Sequence, residues 1–229
     1  MAELASSPSN LNAPFLSDVN PEVVQLYEVV RDHPTELMQA LARHQEDHSK
    51  DYYYDVRRSS PDTRVDAAAR TLYLNRTCWN GLYRLNLRGE FNVPIGTKTA
   101  VVLPTDDFHL ASSLLQNTLL LCGDFTAAID QTGSRDLVFV DPPYTVAHNM
   151  NGFVKYNEKI FTWDDQVRLR DALVRASARG AKVLLTNANH SSIRELYRGF
   201  GQHVEVTRRS VISGTTAGRA AVSELLVSA

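Results

Sequence analysis

Apolar residues along this chain fall into short continuous runs and longer stretches that repeat every three or four positions, and the two patterns alternate. The runs predict strands over residues 14–20, 117–122, 137–140 and 182–187, the third being Leu137-Val138-Phe139-Val140. The repeats predict helices. One starts at Pro21 behind the N-cap Asn20 and carries Val23, Val24, Leu26, Tyr27 and Val30 on one face. Others run from Pro34 to about Asp47, from near Pro61 to about Leu74, and over residues 106–116. A further helix opens at a Thr162/Asp165 capping box and closes at Gly180, and Ser192 with Glu195 caps another. Residues 203–212 and 220–228 predict a terminal strand pair, while 49–60 are polar and tyrosine-rich with no clean period.

Strands alternating with helices predict an α/β fold. Helical segments with no strand between them interrupt that pattern and predict an insertion. The expected organisation is one main domain, 1–48 with 104–229, carrying an inserted subdomain over 49–103. A chain of 229 residues is long enough for this. No run approaches the roughly 20 apolar residues of a membrane span. Without a signal-peptide pattern, and with Cys78 and Cys122 forming neither a metal-ligand pattern nor a disulfide framework, a cytoplasmic protein is expected.

A net charge of −2 argues against a general polyanion binder, but the charge is uneven. From Arg64 to Lys98 there are six bases (Arg64, Arg70, Arg76, Arg84, Arg88, Lys98) against two acids, Asp66 and Glu90. From Arg179 to the end there are seven bases against three acids. Such local basic faces fit a protein that docks on phosphates at one surface, although a solvated charged face has the same composition.

Three of the predicted strands end in a carboxylate: Asp18, Asp124 and Asp141. Ligands of open α/β sheets bind outside the carboxyl ends of strands, where such an acid can hold ribose hydroxyls. The third strand end, Asp141-Pro142-Pro143-Tyr144, is stiffened by its prolines. It offers a carboxylate, a backbone carbonyl and a phenol ring, a set suited to gripping a flat base with an exocyclic amine. A plain proline-rich turn is the competing reading. The run Tyr73–Gly96 mixes Gly and Asn turn-formers with Trp79, Leu82 and arginines, and predicts a protruding recognition hairpin.

The Asp141–Tyr144 stretch resembles the D/N-P-P-Y/F/W signature of amino-group DNA methyltransferases. The hairpin is similar to that of the Dam family of DNA adenine methyltransferases (D12 class), with its N-R-x-x-x-N-G-L-x-R-x-N-x-x-G-x-F-N-V-P-x-G pattern. It is matched here by Asn75, Arg76, Asn80, Gly81, Leu82, Arg84, Asn86, Gly89, Phe91, Asn92, Val93, Pro94 and Gly96. The resemblance implies a Rossmann-like methyltransferase sheet, S-adenosylmethionine as methyl donor, and N6 of a flipped adenine in a GATC-like duplex as acceptor. By the same resemblance Asp141, Pro142, Pro143 and Tyr144 are catalytic. Asp18, Asp124, Phe125 and Asp141 hold the donor, Asp124 through its adenine amine and Phe125 against its ring. Trp79 intercalates, with Asn80 beside it; Leu82 and Pro94 touch a thymine methyl, and Arg84 reads the outer guanine. Arg76, Asn86, Asn92, Lys98 (beside Thr97, where the family often has arginine) and Arg209 complete the implied DNA contacts.

The resemblance covers about residues 15–228. Two family motifs that touch the donor, K-W-x-G-G-K and F-x-G-x-G, are not in this sequence, and its first glycine is Gly81. A chain without them is expected to methylate poorly alone, or to rely on a partner chain supplying a strand. The alternative function is a catalytically inactive DNA-binding remnant.

Overall fold

Side chains that take up free backbone amides set most of the helix starts. The computed structural model describes residues 13–86, 90–147, 161–209 and 221–229, except the side chains of residues 208, 209, 221 and 222. It has the order β1 (Phe15–Asp18), α1 (Pro21–Asp32), α2 (Pro34–Glu46), α3 (Lys50–Arg58), α4 (Arg64–Thr77), a 3-10 turn (Trp79–Gly81), α5 (Phe108–Leu115), β2 (Leu119–Cys122), α6 (Phe125–Ile129), β3 (Leu137–Val140), α7 (Trp163–Ala178), β4 (Lys182–Ala188), α8 (Ser191–Leu196), β5 (Gln202–Arg209) and β6 (Ala221–Ser228). Asn20 accepts from the Glu22 amide at the start of α1, and the Thr162/Asp165 capping box is formed at α7. At α8 the cap is His190, not the predicted Ser192. None of the described helices is long and apolar enough to cross a membrane.

The chain divides into two compact units between Gly123 and Asp124. In the first, β1 and β2 form a parallel pair with Asp18 opposite Cys122. Its core joins α1, α2, α3 and α4 through Val29, Leu37, Leu41, Tyr53, Ala69 and Tyr73, and continues into Phe91, Val93 and Val101. In the second, the strand order is β3-β4-β6-β5, with β3 parallel to β4 and the other pairs antiparallel. Leu169, Leu173 and Ala176 of α7 pack with Val138, Val183 and Leu185 beneath them. The result is a mixed α/β fold with, among the described residues, eight α-helices and two sheets.

Two elements differ from expectation. Residues 50–58, expected to be aperiodic, form α3: Ser49 caps it, Tyr53 and Val56 are buried, and its apolar residues do lie on one helical face, but the segment is only nine residues long and polar overall. Helix α4 starts at Arg64 behind the cap Thr63 and runs on to Thr77, so Asn75 and Arg76 belong to a helix and not to the hairpin. The sequence also predicts a long polar loop over residues 145–161, with His148, Phe153, Tyr156 and Phe161, and a loop over Ser213–Arg219; of these only 145–147 and Phe161 are among the described residues.

Arg76, expected at the DNA surface, turns inward instead. Its guanidinium pairs with Asp106 at 2.6 and 2.8 Å and donates to the Val101 carbonyl, with the two side chains only 15% and 11% exposed. The pair fastens the segment leading into α5 onto α4. Burial pushes the Asp106 carboxyl up, but hydrogen bonds from Arg76 and the Leu103 amide outweigh it and hold the group below its usual range. Asp106→Ala strands a mostly buried guanidinium, so urea unfolding is expected to show a loss of about 3 kcal/mol at neutral pH. Because the folded carboxyl titrates low, the native contribution is present above the unfolded value near pH 4 and fades as pH falls through the folded one. The gap between variant and parent should therefore close in acid.

Candidate functional site

The strand pairing of the second unit builds the first half of the site. Parallel register sets Val140 opposite Leu185, so the next residues along, Asp141 and Thr186, lie side by side. The Thr186 hydroxyl donates to Asp141 Oδ1 at 2.6 Å. Past Asp141 the prolines remove two amide donors, and the chain folds back with the Thr145 amide on the Pro143 carbonyl at 2.8 Å. Gln166 of α7, wholly buried, donates to the carbonyls of Pro143 and Thr145, each at 3.3 Å. Its own carbonyl accepts from Asn187 Nδ2 at 3.1 Å, and Asn187 is also buried. The Thr145 hydroxyl reaches the Phe161 carbonyl at 2.7 Å.

This network leaves the Pro142 carbonyl without a donor among the described residues. An exposed carboxylate and an unfilled carbonyl thus sit on adjacent residues. The half-buried Tyr144 ring completes the group. Its phenol is raised above the ordinary tyrosine value mainly by burial; Thr186 works against this, and the negative charges of Asp141 and Glu224 add to it. A neutral aromatic face next to two acceptors is what a flat, amine-bearing ring requires.

Asp124 and Phe125 lie at the start of α6. Asp124 caps that helix, accepting from the Thr126 amide at 2.9 Å, and receives Arg168 Nη2 at 2.8 Å on both carboxylate oxygens. Burial raises its carboxyl, and the bonds from Arg168 and Thr126 more than reverse that. Arg168 also pairs with Asp165 at 2.6 Å, and its guanidinium lies over the Phe125 ring at 5.1 Å. The guanidinium therefore has a second carboxylate to rest on, and Asp124 Oδ2 keeps a further lone pair for an incoming amine, whereas the Thr126 amide and Arg168 fill both of those on Oδ1. Asp18 belongs to the first unit: its carboxylate accepts from the Asn20 amide at 2.7 Å, and its carbonyl accepts from Gly123 at 3.0 Å.

The recognition segment starts where α4 ends. Asn80 and Gly81 take positive φ (56° and 65°), turning the chain sharply so that Trp79 and Leu82 stand 52% and 43% exposed. The Trp79 amide donates to the Pro94 carbonyl at 2.9 Å, and the Gly96 amide to Thr77 at 2.7 Å. A Cβ on Gly96 would stand 2.5 Å from the Cys78 carbonyl, so only glycine fits this crossing. Further out, Leu85 bridges Phe91, Arg84 Nε donates to Asn92 Oδ1 at 3.0 Å, and Asn86 exchanges bonds with Glu90. Phe91 and Val93 point into the helical core, while Trp79, Asn80, Leu82, Arg84, Pro94 and Lys98 share the exposed side of the residue pattern. The Arg209 side chain and residues 87–89 lie outside the described residues.

The sequence did not point to Thr186, Gln166, Asn187 or Arg168. Only the pairing of β3 with β4 and the docking of α7 bring them to the two strand ends.

The family model for D12 class N6 adenine-specific DNA methyltransferase matches residues 6–211. The chain is 34% identical over 222 residues to the type II methyltransferase M1.LlaDCHI of Lactococcus lactis subsp. cremoris, an alignment covering 93% of this chain and 78% of that protein. It is 32% identical over 216 residues to the DNA adenine methylase of Escherichia coli K12, covering 93% and 77%. Against the DNA N-6-adenine-methyltransferase of Escherichia phage P1 it is 36% identical over 211 residues, covering 89% of this chain and 28% of that longer protein.

Replacing Gln166 by leucine leaves the Asn187 amide and two turn carbonyls without their buried partner. Chemical denaturation should register a loss of about 2–3 kcal/mol, part of it recovered when Asn187→Leu removes the orphaned amide, the Thr145 carbonyl staying without its Gln166 donor.

Proposed function

We propose that this chain, which belongs to the D12 class N6 adenine-specific DNA methyltransferases, transfers a methyl group from S-adenosylmethionine to N6 of an adenine flipped out of a GATC-like duplex site. The observation that carries this reading is that the Asp141 carboxylate stands next to the Pro142 carbonyl, which receives no donor among the described residues, at a proline-stiffened strand end.

The lone pair of an exocyclic amine is delocalised into its ring, which makes the amine a poor nucleophile. Asp141 and the Pro142 carbonyl accept its two hydrogens, draw the nitrogen towards tetrahedral geometry and so localise the lone pair. Thr186 fixes one carboxylate oxygen and leaves the other for the amine. Tyr144 stacks on the base, and its neutral phenol avoids placing a second negative charge beside Asp141. The donor, when bound, supplies an electrophilic methyl sulfonium. Asp124 takes the adenine amine of that donor, Phe125 packs on its ring and Asp18 takes its ribose hydroxyls. Asp141 also lines the donor site.

A base in a duplex is out of reach of any such group, so the adenine leaves the stack. Trp79 holds the opened step, Asn80 contacts the DNA beside it, Leu82 and Pro94 lie on a thymine methyl, and Arg84 reads the outer guanine. Asn86, Asn92, Lys98 and Arg209 add contacts to the DNA. The parallel β3–β4 pair continued by antiparallel β6 and β5 supports a Rossmann-like sheet; the target-recognition insertion is proposed over 49–103 in a catalytic domain of 1–48 and 104–229, with its residues sharing one hydrophobic core with α1 and α2.

The test is transfer of radiolabelled methyl from S-adenosylmethionine to a GATC duplex and to a duplex with the four bases scrambled. Label should appear as N6-methyladenine in the first only. Asp141→Asn is expected to lower the rate at least about 100-fold, the scale of losing one aligned acceptor, and Tyr144→Ala about 10-fold through lost stacking. Equal labelling of both duplexes, or an undiminished Asp141→Asn, would sink the proposal.

A further inference from the structure

A surface that tells one base pair from another must hold its reading side chains to a few tenths of an ångström, yet the segment from Trp79 to Gly96 has little ladder of its own. Among the described residues its two arms form no continuous ladder: they meet at the isolated bridges Cys78 with Ile95 and Leu85 with Phe91, joined by a few single backbone bonds. Its rigidity has to come from elsewhere, and α3 supplies it. The Val93 carbonyl accepts two donors from that helix, the Tyr53 hydroxyl at 3.0 Å and Arg57 Nη1 at 3.2 Å, which fills both of its lone pairs. The bond from the guanidinium is charge-assisted and therefore the stronger of the two.

The next residue along is Pro94, whose own carbonyl receives the Trp79 amide. Two consecutive carbonyls thus link α3 to the exposed indole. Helix α3 is itself tied to α4, where Arg70 donates to the carbonyls of Val56 at 2.9 Å and Arg57 at 2.7 Å. The Tyr53 ring is wholly buried, so neither end of the link is free to drift.

We infer that Tyr53 and Arg57 are positioning residues for sequence discrimination: through the Val93 carbonyl they fix Pro94 and Trp79 in the register that reads the site. The inference rests on the proposed GATC reading. It separates two properties that phosphate-binding residues alter together. Charge attraction to the duplex depends on exposed cations, whereas discrimination depends on where base-contacting groups stand. Loosening the clamp removes the second and leaves the first.

The test uses the full chain and fluorescein-labelled duplexes, one with GATC and one with those bases scrambled, followed by anisotropy. Tyr53→Phe keeps the buried ring and removes one donor; Tyr53→Phe/Arg57→Met removes both. The ratio of affinities should fall about five-fold in the single variant and at least about ten-fold in the double, the scale of one and two lost hydrogen bonds, while scrambled-duplex affinity and its salt slope stay within about two-fold. Arg57→Lys, which retains a donor and the charge, should recover part of the ratio in the Tyr53→Phe background. Amide hydrogen exchange at Trp79 in the free protein should speed up about ten-fold in the double variant.

An unchanged ratio in a protein that does prefer GATC overturns the inference, and so does an equal loss on both duplexes. If the parent shows no preference, the GATC reading fails by itself. The clamp is then judged by Trp79 exchange alone, and unchanged protection overturns it.

Discussion

The parallel pairing of β3 with β4 is the constraint on which the base-gripping end of the second unit depends. It puts Asp141 beside Thr186, and the prolines that follow convert a strand end into a short rigid ledge. Helix α7 then settles which carbonyl remains available. Its buried Gln166 engages Pro143 and Thr145, and the carbonyl between Asp141 and Pro143 is left for an external donor. Buried polar groups thus decide which carbonyl of this turn is left unclaimed among the described residues, although Pro142 itself is buried. The Asp-Pro-Pro-Tyr stretch is therefore shaped by more than its own four residues.

In the first unit the same division between inside and outside runs through the recognition segment. Phe91 and Val93 are pulled into the helical core, and the residues between and around them are turned out as a consequence. The apolar character of the segment is therefore split: one set of side chains anchors it in the core, and the other stands exposed. Arg76 follows the anchoring set. Its charge is neutralised by Asp106, whereas Arg84 and Lys98 stay exposed.

Much of this was legible in the sequence, for identifiable reasons. The strand cores, the Asn20 cap and the Thr162/Asp165 box depend on neighbouring residues, and local patterns report local causes. The same holds for the Asp-Pro-Pro-Tyr ledge, whose stiffness is a property of proline itself. Helix α3 is harder to see because it is short and polar overall, so its one apolar face, with Tyr53 and Val56 buried, is carried by few residues. Thr186 and Gln166 escaped because nothing local marks a threonine as the neighbour of Asp141, or a glutamine as the partner of a turn 21 to 23 residues earlier. Arg76 was read as a surface cation because its motif position was visible, whereas its partner Asp106 lies thirty residues downstream.

The two prolines of the ledge have one more effect. In the second unit's sheet, β3 is an edge strand among the described residues, and its outward Leu137 and Phe139 are 67% and 61% exposed. An apolar edge of this kind is a template on which another extended chain can add itself and start an aggregate. Pro142 and Pro143 interrupt that template, because neither can donate to a ladder and together they end the extended run. The prolines that stiffen this strand end thus also act as gatekeepers, limiting how far a misdirected strand could grow along it.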